Sequence, residues 1–149
     1  MILLVHLLLG ALIGQKISNP FLAIILAFLS HYFLDLFPHI EYPIKNIKQK
    51  QWHKAMPDIL RVILDFCSGI SLIFLFSKNN PIIYVCAFFA ILPDGFTFLG
   101  YFLNNKTLKL HNDFHGGKIH FHKNKKISIF WRIFSQVAVA VICVILFKF

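Results

Sequence analysis

Residues 20–41 read PFLAIILAFLSHYFLDLFPHIE, and this stretch decides how the rest of the chain is read. From Pro20 to Phe37 the run is apolar except for Ser30, His31, Tyr32 and Asp35. It is long enough to cross a bilayer as a helix. Pro20 follows Ser18-Asn19, at a helix start where its missing N–H costs nothing. Pro38 ends or kinks the helix. His31 and Asp35 stand four residues apart, so they share one helix face. An apolar helix needs neither of them.

Four more apolar segments lie around this one, at 1–14, about 57–76, 81–103 and about 127–147. The first is short for a span and has no positively charged N-terminal region, so it reads as a first membrane helix rather than a cleaved signal peptide. Composition agrees. The chain is 58% hydrophobic, against about 45–50% in soluble domains. Only 14% of it is charged, and mean hydropathy is +0.71. A soluble globule of 149 residues cannot bury that much apolar surface, and disorder needs low hydrophobicity. The expected fold is all-α: an integral membrane bundle of four to five transmembrane helices, plus a short amphipathic helix near 108–115. A single transmembrane domain is expected over 1–149.

The net charge of +9 is carried by two long loops. The first holds Lys45, Lys48, Lys50 and Lys54; the second holds Lys106, Lys109, Lys118, Lys123, Lys125 and Lys126. The short loops carry only Lys16 and Lys78. The positive-inside rule then makes both long loops and the N-terminus cytoplasmic, in a multi-pass protein of the inner membrane. This accounts for the basic balance without nucleic acid. The partner it implies is the lipid bilayer, with anionic head groups held by the loop lysines. The three cysteines lie in apolar runs without C-x-x-C spacing and read as small core residues.

Asp35, Asp65 and Asp94 fall in three different apolar segments. Unpaired at the bilayer centre, the three cost roughly 7–10 kcal/mol. A cation, a partner charge or protonation must offset this. The His31/Asp35 pair fits one shared cation or a packing hydrogen bond equally well. His39 and Glu41 follow at the boundary. Asp58, Arg61 and Asp65 share a face of the third segment, where an ion pair is the simplest reading. Pro93-Asp94-Gly95 predicts a broken helix, tolerated only where it lines a cavity or is buried in protein. His111 and His115 repeat the four-residue spacing on a short helix that Gly116 ends. His120, His122 and His53 read as surface or interfacial residues. His6 stands alone among leucines, where a histidine faces the bundle interior. With the long loops cytoplasmic, His6, His31, Asp35, His39, Asp58, Asp65, Asp94, His111 and His115 all fall in one leaflet. A shared site explains this better than scattered packing.

The elements His6…Gly10…Gly14, LSHYFLDLFPH (29–39), ILPD (91–94) and H-x-x-x-H (111–115) resemble small polytopic membrane proteins of uncultivated bacterial lineages. More remotely, the short motifs resemble the membrane-bound metal-dependent hydrolase family and the zinc-dependent phospholipase C group. The resemblance implies that His31, Asp35 and Asp94 are metal ligands, completed by His6 and His115. The hydrolase order is not kept: here H-x-x-x-D precedes P-D, and no H-R-G-x-T-H-S element is present.

The expected function is therefore a metal-dependent hydrolase of an ester or phosphoester, lipid included, at the cytoplasmic leaflet. Its metal ligands are drawn from His6, His31, Asp35, Asp94, His111 and His115. The cofactor is a divalent ion, Zn²⁺ first, with Mn²⁺ or Fe²⁺ as alternatives. Asp65 or His39 serves as general base or orients a ligand. Two other classes remain: a divalent-cation or proton-coupled transporter, and a structural membrane protein whose Asp and His residues specify packing.

Overall fold

A computed structural model describes residues 2–119 and 127–149. His120, His122, Lys123, Lys125 and Lys126 lie outside the described residues, as does the side chain of Lys118. Every regular element described is helical. The elements are α1 (Leu3–Lys16), α2 (Pro20–Asp35), α3 (Lys45–Lys48), α4 (Met56–Phe76), α5 (Pro81–Gly100), α6 (Lys106–Asp113) and α7 (Ile129–Leu146). A 3-10 turn at Trp52–Lys54 precedes α4, and a π turn at Phe114–Ile119 continues α6.

Asn19 and Asn80 start α2 and α5 by accepting backbone N–H groups from Leu22 and Ile82, each just ahead of a proline at the first helical position. Three helices, α4, α5 and α7, are long and apolar enough to cross a membrane; α1 and α2 are apolar but shorter. The outward surfaces agree with a lipid environment: Phe21, Leu75, Ile129 and Phe130 are all more than 60% exposed.

The shortest of the five apolar helices is the central one. α1 packs against α2, α4, α5 and α7 and is apolar almost all round, as a fully surrounded helix should be. Its Leu7, Leu8, Ala11 and Leu12 form the core with Ile73, Ile83, Ala87, Cys143 and Phe147. Gly10 is what brings α5 close. A Cβ there would lie 2.5 Å from Ala90 Cβ and 2.7 Å from the Cys86 carbonyl oxygen. Small residues at such a seam let backbones approach without a hydrophobic drive between helices.

Each end of the bundle is tied by polar bonds. At one end, Gln15 donates to Phe147 O at 2.9 Å and accepts the Lys78 N–H at 3.0 Å. At the other, Ser135 Oγ donates to Pro38 O at 2.5 Å and Gln136 Nε2 to Ile40 O at 3.0 Å. Trp52 stacks on Phe102 with centroids 5.5 Å apart, so the two long loops meet at one end.

Three details differ from the sequence expectation. α2 stops at Asp35 and α5 at Gly100, each short of the apolar run that contains it. α5 runs on through Pro93 instead of breaking. Two carbonyls of this turn gain partners from outside the helix: His31 donates to Ala90 O and His111 to Pro93 O. Of the cysteines, Cys86 and Cys143 are buried as expected, whereas Cys67 lies on the exposed face of α4.

Candidate metal centre

α2 presents His31 and Asp35 on the face that packs against α1 and α5, which is why both are fully buried. α5 adds Asp94, one residue past the helical proline. The π turn after α6 folds back and inserts His115, which is 2% exposed. Ligand atoms of His31, Asp35, Asp94 and His115 all lie within 4.8 Å of one another. His31 Nε2 is 3.1 Å from His115 Nε2, 3.2 Å from Asp35 Oδ2 and 3.7 Å from Asp94 Oδ1. His115 Nε2 is 2.9 Å from Asp35 Oδ2. A tetrahedral ion with bonds of about 2.0–2.1 Å separates its ligands by about 3.3–3.4 Å. The observed edges bracket that value.

Hydrogen bonds orient the rings. The Ala90 carbonyl can only accept, so His31 Nδ1 carries the proton and donates at 2.8 Å. With Nδ1 so engaged, His31 Nε2 faces the Asp35 and Asp94 carboxylates and His115 Nε2. A cation or a shared proton at this point offsets the burial of these groups. His115 Nδ1 bonds Thr97 Oγ1 at 3.0 Å, which turns its Nε2 to the same point. A ligating histidine that donates its second N–H to a carbonyl or hydroxyl is the usual way such a ring is fixed.

Two more imidazoles approach Asp35 from its other oxygen. His6 Nε2 is 3.3 Å and His39 Nε2 3.8 Å from Oδ1. His6 stacks on His31 with centroids 4.1 Å apart. Beside the group opens a cavity of about 430 Å³, reached by Asp94 and His115. Its walls are largely apolar, from Ile59 and Val62 of α4 and Ile91 and Phe98 of α5, with Lys48 at its rim. That volume falls in the range of about 300–1,000 Å³ usual for ligand pockets. Lys48 itself sits over the Tyr101 ring, 5.3 Å from its centroid.

Not every candidate residue joins this group. His111 lies next to it, with its ring 5.5 Å from that of His115, but its Nε2–H donates to Pro93 O at 3.0 Å. Burial lowers its pKa below the usual imidazole value. Asp58 is bound into the α4 start: its Oδ2 accepts the Asn46 N–H at 3.0 Å, and Arg61 lies 3.6 Å from Oδ1. Asp65 sits at the N-terminus of α1. Its Oδ2 accepts the Leu4 N–H at 2.8 Å and the Tyr42 hydroxyl, while Tyr42 accepts the Leu3 N–H at 3.0 Å. Burial, and then the Asp65 carboxylate, push the Tyr42 phenol well above its usual pKa, so it stays a donor.

Asp65 thus caps a helix whose own N-cap position, Ile2, offers no side-chain bond. Asp65→Asn should lower thermal stability by about 1–2 kcal/mol, the worth of a charged cap, and leave metal content unchanged. Loss of bound metal with unchanged stability would instead tie Asp65 to the site.

Thr97 and the pair Ser135/Gln136 are the supporting residues that the sequence did not single out. Thr97 lies three residues after Asp94, on the same face of α5, and that spacing was the available signal. Ser135 and Gln136 hold the segment carrying His39 from α7, and nothing local announces such a long-range contact. No protein-family model, curated protein or solved structure matches this chain.

Proposed function

We propose that the chain is a membrane-embedded hydrolase that uses one or more divalent ions, with Zn²⁺ the first candidate. The observation that carries this reading is the convergence of His31 Nε2 and His115 Nε2 on the Asp35 and Asp94 carboxylates at one point of the bundle. Only a cation or a proton makes that arrangement stable, and the separations suit a small metal ion. His31, Asp35, Asp94 and His115 are its ligands. An ion held there supplies Lewis acidity and acidifies a water molecule.

The protein's own contribution is placement. Asp94 has 31% of its side chain exposed, towards the cavity, so that edge is where substrate meets the site. The apolar walls favour an ester or phosphoester on an apolar body, and Lys48 supplies a positive charge for an anionic group. The loop lysines favour a cytoplasmic location for this end of the bundle, with four to five helices spanning the membrane. The core beyond the site is closed by Leu8, Ala11, Leu12 and Ala87, which speaks against a polar path through the bundle and so against transport.

The test is hydrolysis of p-nitrophenyl butyrate and bis-p-nitrophenyl phosphate by detergent-purified protein. Turnover of at least one is expected. It should disappear on chelation, return with Zn²⁺ or Mn²⁺, and fall at least about 100-fold in Asp94→Asn. Metal-loaded protein that turns over neither probe, nor short-chain phospholipid, would reject the hydrolase reading.

A further inference from the structure

Among the described residues, four imidazoles approach Asp35, two at each of its carboxylate oxygens. His31 and His115 meet Oδ2 at 3.2 and 2.9 Å. His6 and His39 meet Oδ1 at 3.3 and 3.8 Å. All four present Nε2. We propose that Asp35 is a bridging carboxylate and that a second divalent cation binds on its Oδ1 side, held by His6 and His39. This rests on the metal reading of the Oδ2 side and adds a second position to it.

Two independent features point to a ligand on the Oδ1 side. His6 is wholly buried; among the described residues its Nδ1 has no hydrogen-bond partner, and its Nε2 faces Asp35 Oδ1 at 3.3 Å without hydrogen-bond geometry. A buried imidazole left in this way is costly, and its Nε2 is aimed at Asp35. His39 is oriented in the manner of a ligand. Its Nδ1–H donates to the Phe37 carbonyl at 2.7 Å, so Nε2 turns its lone pair towards Oδ1. Ser135 and Gln136 of α7 hold the adjoining carbonyls of Pro38 and Ile40 and keep this segment in place. A carboxylate bridging through both oxygens sets two ions about 3.5–4 Å apart, the spacing of two-metal hydrolytic sites. The Asp35 and Asp94 carboxylates offset two of the four positive charges that a pair of divalent ions carries. Imidazole and carboxylate together suit Zn²⁺, Mn²⁺ or Fe²⁺ on both sides.

The test is metal stoichiometry of the full chain in detergent, after loading with excess Zn²⁺ and desalting. Wild type should retain two equivalents. His39→Gln should retain one, and His6→Asn should do the same. His39 lies outside the helices, so its variant keeps the test valid even where His6→Asn does not fold. Loading with Mn²⁺ gives a second reading: wild type should show the exchange-coupled spin-resonance spectrum of a carboxylate-bridged pair, and His39→Gln that of an isolated ion. One equivalent in wild type, unchanged in His39→Gln, would overturn the second site and leave the first standing. No metal in wild type would remove both.

Discussion

Asp35→Asn should abolish metal binding. Asp35 lies within 3.8 Å of each of His6, His31, His39 and His115, through Oδ1 or Oδ2. An amide carries no charge to offset a buried cation, and its NH₂ replaces an acceptor with a donor. Replacing an outer-shell partner costs metal affinity about 10–100-fold, so loss of this central ligand should exceed 100-fold. The effect will also be visible in stability. An ion that binds only the folded state adds about 4 kcal/mol at a concentration 1,000 times its Kd. Wild-type protein should therefore gain thermal stability on adding Zn²⁺, and Asp35→Asn should gain none. Chelator competition and thermal unfolding in the same detergent measure the two effects. If the variant binds Zn²⁺ as wild type does, Asp35 is not a ligand. If neither protein binds it and the variant is only less stable, the histidines form a packing network.

The second large effect is at a position without any polar group. Gly10→Val should destabilise the bundle by about 3 kcal/mol or more, the upper end of the usual cost of overpacking. The obstacles are not flexible side-chain ends. They are the Cys86 carbonyl oxygen, Ala87 Cα and Ala90 Cβ, at 2.7, 3.1 and 2.5 Å from the added Cβ. Relief requires α1 and α5 to separate. Ala90 is also the residue whose carbonyl orients His31, so separation should weaken metal binding along with the fold. Gly95→Ala is the control, because nothing lies within 4 Å of a Cβ there. It should be neutral or slightly stabilising, since glycine is unfavourable within a helix. Equal melting temperatures for Gly10→Val and wild type would show that the two helices are not in close contact.

The helices were legible because a membrane-crossing segment is declared by composition over about 20 residues, a local property. The Asn-Pro starts of α2 and α5 were legible for the same reason: cap and proline act within one turn. All four residues of the site were among the candidates read from the sequence, and two of them could be placed together. His31 and Asp35 share a helix face whatever surrounds it, and an ionised residue in an apolar run announces that something must offset it. Asp65 satisfied the same criterion, yet it caps α1. A carboxylate that offsets backbone N–H groups on another helix has the same local sequence as one that meets a cation.

By itself, then, the sequence determined an all-helical chain with helices apolar enough for a membrane, two basic loops, and a short roster of buried Asp and His residues. All three follow from local chemistry: periodicity, hydropathy, and the cost of placing charge in an apolar segment. Only the tertiary structure decided that the shortest apolar helix is central, that α5 stays helical through Pro93, and that His115 rather than His111 enters the group. It also decided which oxygen of Asp35 each imidazole meets. These depend on how α1 and α5 approach at Gly10 and on where the turn after α6 folds back. Contacts between residues some 80 positions apart are set by packing and leave no trace in the spacing of either partner.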